Sequence, residues 1–210
     1  MLAITCRFVP IPHLGAWVSS KKLIHMNLNY DRNGLISIIR EHALRFGQFT
    51  LASGKQASYY MDCRMVTLHP KGANQIASGM LELIQANHFG SIPDAVGGLA
   101  IGADPITASI VVHAGLRDCN LLGFMVRKEA KQHGTGKLVE GPVRPGMKCV
   151  IVEDVITSGG SALKAATAAR DFGMEVIGVL GVIDRLEGGE AAFKAAGIPL
   201  ATLLTINEFL

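Results

Sequence analysis

The chain has 210 residues, 49% of them hydrophobic and 18% charged, which suits one α/β domain with small additions. No apolar stretch reaches the roughly 18 residues of a membrane span, and a net charge of +3 is too slight to argue for nucleic acid as a partner. The four cysteines, Cys6, Cys63, Cys119 and Cys149, form no CxxC pair, so neither a disulfide framework nor a zinc site is indicated and reduced thiols in a cytoplasmic setting are expected.

Residues 1–29 differ from the remainder of the chain. They contain no acid, two close prolines at Pro10 and Pro12, and no clean periodicity, so they are expected to be a disordered or spurious N-terminal extension. Met26 stands just before the first well-patterned segment, and residues 30–210 form the expected domain. From Asp31 the apolar positions Leu35, Ile36, Ile38, Ile39, Ala43 and Leu44 predict a helix capped by Asp31 or Asn33 and ending near Gly47. Phe49–Leu51, a turn at Ala52–Gly54, Ser58–Asp62 and Arg64–Val66 then read as a hairpin outside the main sheet. Lys55, Tyr60 and Arg64 crowd into ten residues of it, types that a planar anion can use together, although either tyrosine of the pair Tyr59-Tyr60 could equally pack on the core.

His69-Pro70 opens a helix over about 71–87. Asp94–Leu99 is the first core strand, ending in the turn GGLAIGADP at 97–105, whose small residues imply close backbone approach by a ligand or by the helix that runs on to Ala114. Leu121–Val126 is the second core strand. It enters RKEAKQHGTGK, Arg127 to Lys137, where three lysines, an arginine and a histidine meet one glutamate, with Gly134 and Gly136 among them. Such a run is commonly a solvated loop, but glycines beside clustered cations also suit a mobile lid over a polyanion such as pyrophosphate.

The most informative stretch is KCVIVEDVITSGGS, Lys148 to Ser161. The apolar run from Cys149 predicts a strand buried on both faces; Glu153 and Asp154 come next, then a loop of hydroxyls and glycines, then a strong helix former, ALKAATAARDF. A loop like this can turn several backbone N–H groups and a helix N-terminus toward one phosphate. The carboxylates would hold ribose hydroxyls, directly or through a hydrated divalent cation. The structural alternative is an ordinary N-cap at Thr157 or Ser161 with acids favouring the helix's positive end. The loop is neither GxxxxGK[ST] nor GxGxxG. Strands at 176–183 and 200–205, the Asp184-Arg185 pair and a helix at 189–196 complete an α/β fold with a mostly parallel central sheet flanked by helices and a small N-terminal hood or hairpin.

EDVITSGGS resembles the phosphoribosyl diphosphate (PRPP) motif of the type I phosphoribosyltransferases, and FTLASGKQASYYMDCR and VRKEAKQHGTGK are similar to the base-binding hairpin and catalytic loop of its orotate-specific members, over about residues 30–210. The resemblance implies transfer of a phosphoribosyl group from PRPP to orotate, giving orotidine 5′-monophosphate and pyrophosphate in pyrimidine synthesis, with Mg²⁺ as cofactor and a homodimer sharing the loop. Glu153 and Asp154 would take the ribose hydroxyls, and Val155, Ile156, Thr157, Ser158, Gly159, Gly160 and Ser161 the 5-phosphate. Arg127, Lys128, Lys131 and His133 would meet the pyrophosphate, with Lys131, His133 and Asp154 the catalytic set. Thr157, Arg185, Tyr60, Met61 and Lys55 would surround the orotate. The chain departs from many members in having Ala52 and Gly102 where they carry lysines. A purine phosphoribosyltransferase and a non-catalytic PRPP-binding regulator are the alternatives on the same fold.

Overall fold

The computed structural model describes residues 29–50, 56–129 and 137–210. Apart from Asn29, the N-terminal extension lies outside these residues, as do the hairpin turn and most of the cationic run.

The first helix, α1 (Arg32–His42), starts where Asp31 accepts the Gly34 backbone N–H at 2.9 Å, and it buries Leu35 and Ile39. It stops at His42, short of the expected end near Gly47. Leu44, expected on its apolar face, instead begins strand β1 (Leu44–Thr50), paired antiparallel with β2 (Gln56–Met61) in a separate two-stranded sheet. Pairing of Leu44 with Met61 overrides the helical spacing. Arg64–Val66 is not part of the hairpin. Asp62 accepts the Arg64 backbone N–H at 3.1 Å and turns the chain into the short helix α2 (Arg64–Thr67). The helix α3 (Pro70–Gln85) then begins at its proline, with His69 as the cap.

The main sheet is built from β3 (Ala95–Leu99), β4 (Leu122–Val126), β5 (Val139–Glu140), β6 (Lys148–Ile156), β7 (Glu175–Asp184) and β8 (Leu200–Thr205), in the order β5-β4-β3-β6-β7-β8. Every pairing is parallel except β4 with β5, a two-residue edge too short for sequence periodicity to reveal. The connecting helices are α4 (Ala103–Gly115), α5 (Gly160–Asp171) and α6 (Gly189–Ala195). Along β6, Val150 and Val152 enter a core with α1, α3 and α4, while Cys149 and Ile151 enter a second core with α5. Burial on both faces explains the unbroken apolar run.

From β3 the chain proceeds to β4 on one side, then returns across β3 to lay down β6, β7 and β8 on the other. The order therefore reverses between β3 and β6, where open α/β sheets receive ligands at the strands' carboxyl ends. The ladder joining the two strands ends at Gly97 opposite Ile151, leaving Glu153 and Asp154 beyond the last pair. A Cβ at Gly98 would lie 2.2 Å from the Val152 carbonyl oxygen and 2.6 Å from Ala103 Cβ. Gly98→Ala is expected to cost about 3 kcal/mol, because backbone must yield, and to lower Tm by roughly 6–12 °C in thermal unfolding.

Candidate functional site

The site is assembled where β6 outlasts β3. Its outer half pairs only with β7, through Glu153 opposite Gly181 and Ile156 opposite Asp184. Glu153 is only 7% exposed, and its Oε2 is buried without a hydrogen-bond partner. Burial first, and the neighbouring Asp154 charge second, push the Glu153 carboxyl up to about 8. Asp154 is half-buried and accepts the Val155 backbone N–H at 2.8 Å. The small-residue turn of the first core strand passes beside it: a Cβ at Gly102 would lie 3.4 Å from Asp154 Oδ1.

The loop after β6 closes on Gly159, at φ +81°, and α5 begins at Gly160 with no side-chain cap. Neither Thr157 nor Ser161 serves as the N-cap, so the capping part of the structural alternative does not hold, and no side chain caps the first N–H groups of the helix. Glu153, Val155, Ile156, Thr157, Gly159, Gly160, Ser161 and Ala162 line a small cup there. Ser158 is exposed at its rim.

Arg127 and Lys128 leave the end of β4 and, with Ala100, Ile101, Asp104, Met125, Glu129 and Glu140, border a cavity of about 580 Å³. Arg127 Nη1 lies 3.9 Å from Glu140, and Lys164 of α5 donates to the Lys128 carbonyl at 3.0 Å. Asp104 has a buried, unpartnered Oδ1, and burial raises its pKa. Sequence reading missed Asp104 and Lys164. Asp104 stands inside the glycine-rich turn at 97–105, but nothing in the spacing tells that its carboxylate turns inward.

The hairpin reaches the same region. Tyr60 is 43% exposed and meets the Phe49 ring at 5.8 Å between centroids, while Met61 is partly buried. Burial first and then the Asp154 charge raise the Cys63 thiol pKa. Arg64 is tied to Asp62 at 2.8 Å. Across the site, Arg185 follows β7 and is linked to β6 by its backbone N–H, which donates to the Ile156 carbonyl at 2.8 Å. Its Nε donates to the Tyr59 hydroxyl at 3.2 Å, so Tyr59 joins the hairpin to the sheet, a role the adjacent Tyr60 obscures in the sequence. Thus the acidic pair, the cup, Arg127, Lys128 and Arg185 gather at the carboxyl end of the sheet, and the hairpin joins them through Tyr59, while Tyr60 is placed against Phe49 and Met61 packs on the core. Lys55, Lys131 and His133 lie outside the described residues. A cavity of about 700 Å³ along β8 includes neither the acidic pair nor the cup.

Residues 65–196 match the model of the phosphoribosyl transferase domain family. The chain is 61% identical over 183 residues to an orotate phosphoribosyltransferase of Rhodopirellula baltica, covering 86% of this chain and 95% of that protein. Among solved structures, Mycobacterium tuberculosis orotate phosphoribosyltransferase in complex with inorganic phosphate superposes with a TM-score of 0.73 at 35% identity, over 84% of this chain and 96% of that one. The same enzyme in complex with PRPP gives a TM-score of 0.71 at 33% identity, over 84% and 97%.

The raised pKa of Glu153 carries a definite sign. Between its ordinary value of 4.5 and about 8, the ligand-free native state keeps a proton that the unfolded chain has lost. Stability therefore falls as pH rises through that window. Urea midpoints of wild type and Glu153→Gln should diverge, the variant becoming relatively more stable from pH 5 to pH 8.5; a difference independent of pH would refute the buried-acid assignment.

Proposed function

The chain belongs to the phosphoribosyl transferase domain family and, within it, to the orotate phosphoribosyltransferases, and from that premise we propose how its own residues carry the reaction. The chain transfers the phosphoribosyl group of PRPP to orotate, giving orotidine 5′-monophosphate and pyrophosphate. The observation that carries the assignment of roles is the meeting of three features at one end of the sheet: an uncapped helix N-terminus, an acidic pair and an arginine held by the hairpin.

The cup from Val155 to Ser161 takes the 5-phosphate, because the N-terminus of α5 offers N–H donors and the positive end of a dipole. Glu153 and Asp154 accept the ribose hydroxyls. A carboxyl group as buried as Glu153, with an oxygen that no protein group satisfies, suits such a hydroxyl. Arg185, Tyr60 and Met61 receive the orotate with Thr157, and Lys55 contributes a further cation from the hairpin turn. Arg127 and Lys128, joined by Lys131 and His133 from the lid, receive the pyrophosphate. Displacement at C1 builds positive charge on the sugar and negative charge on the leaving group, so placed cations contribute more than covalent catalysis. The lid also excludes water from the sugar cation.

Mg²⁺ fits this donor set as a hydrated ion carried with the substrate. The described residues hold no cluster of three or more metal-ligating side chains, but Glu153 and Asp154 can hold the ion through water and ribose oxygens. When bound it would neutralise charge on the pyrophosphate.

The protein acts as a cytoplasmic homodimer sharing the lid between subunits. No helix among the described residues is long and apolar enough to cross a membrane. Ile101 and Met125 stand exposed at the edge of the 580 Å³ cavity that Arg127 and Lys128 border. An apolar surface beside the pyrophosphate cations supports a second copy docking there. The working unit is residues 30–210, and a chain beginning at Met26 should retain full activity.

Loss of orotate absorbance with PRPP and Mg²⁺ tests the reaction; transfer to adenine or hypoxanthine but not to orotate would reject it. Lys131→Ala should lower kcat by about 100-fold while PRPP affinity changes only a few-fold, since its contact forms chiefly as pyrophosphate departs. Equal losses in both would remove that role. Mixing Lys131→Ala with Asp154→Asn should restore activity through hybrid dimers, and no recovery despite proven subunit exchange would count against a shared lid.

A further inference from the structure

The turn that carries Arg185 is built to aim it. Asp184, only 5% exposed, accepts the Leu186 backbone N–H at 2.8 Å and holds Leu186 at φ +58°, a conformation a leucine rarely adopts. With the Arg185 N–H bound to Ile156, both ends of the arginine's own peptide segment are fixed to the sheet. The guanidinium then meets two partners of unlike character. The Tyr59 ring lies 5.1 Å from Cζ while its hydroxyl accepts from Nε, and this tyrosine is half-buried against the core. Glu187 lies 2.6 Å from Nη2, and its side chain is 48% exposed against 18% for the arginine.

We propose that Tyr59 fixes the plane of the Arg185 guanidinium while Glu187 occupies it in the substrate's place, so that the glutamate is exchanged for the substrate carboxylate on binding. The inference rests on the proposed function, in which Arg185 receives orotate. Three observations separate the two partners. Tyr59 comes from another element and is anchored, whereas Glu187 comes from the same turn, two residues away, and is largely solvated. Glu187 is followed by Gly188 at φ +99°, where the backbone departs from anything a side chain would favour. Finally, Tyr59 is neutral, but Glu187 carries the same charge and the same planar acceptor group as the ligand, and two carboxylates on one guanidinium repel. Holding the cation neutralised until a carboxylated base arrives also weakens binding of a base that lacks the carboxylate, which cannot displace the glutamate.

The two contacts predict opposite effects, measured by initial rates at low ionic strength with orotate and PRPP varied in turn. Glu187→Gln, which keeps the shape and removes the charge, should lower the KM for orotate about three- to five-fold. Tyr59→Phe, which keeps the ring and removes the hydroxyl, should raise it by about the same factor. In both variants kcat and the KM for PRPP should move less than the KM for orotate. A Glu187→Gln enzyme whose orotate KM is unchanged or higher overturns the exchange, as does an equal change in both Michaelis constants. If wild type transfers to a purine and not to orotate, the reading of the reaction falls and the exchange falls with it.

Discussion

Two carboxylates stand side by side beyond the last rung joining β3 to β6, and one of them is almost out of water. A buried acid beside another acid is unfavourable unless something accepts it. Burial and the neighbouring charge favour a retained proton on Glu153, and Asp154 accepts its neighbour's backbone N–H. The rest of the site is arranged around that unfavourable pair. Cations come from the end of β4 on one side and from the end of β7 on the other, where Tyr59 of the hairpin meets Arg185. In the proposed reading, a sugar with hydroxyl donors and a carried cation would supply what the pair lacks.

The sequence exposed the parts of this arrangement whose chemistry is local. A strand buried on both faces has to read as an apolar run, and a loop that must curl around an anion has to be small, so the path from β6 through the cup into α5 was legible from Cys149 onward. So was the alternation of strands and helices that places it. Pairing between distant segments was less legible. Leu44 has helical spacing with Leu35 and Ile39 yet lies in β1, because a partner at Met61 decides the matter. β5 is two residues long and has no pattern to show.

Among site residues the same division applies. Glu153, Asp154 and the glycines announce themselves by adjacency. Tyr59 and Asp104 do not, because their roles depend on which way one side chain faces. Strand alternation turns Tyr59 and Tyr60 to opposite sides of the hairpin, and only the position of Arg185 tells which side matters to the guanidinium. The cap alternative at Thr157 or Ser161 was chemically sound and failed for a conformational reason: the chain enters α5 through a left-handed glycine, leaving the hydroxyls to line the cup.

The hydrogen bond from the Arg185 N–H to the Ile156 carbonyl extends the ladder of two parallel strands by one rung. In the proposed reading Ile156 opens the phosphate loop and Arg185 opens the turn that aims at the base, so the span between the two ends of a nucleotide would be set by main-chain pairing. Side chains on either end can be exchanged without altering that span. A scaffold of this kind can change the base it accepts and keep the sugar phosphate where it was, whereas inserting a single residue in either strand would move one end of the product relative to the other. The ruler is the backbone, and the residues that name the substrate are markings on it.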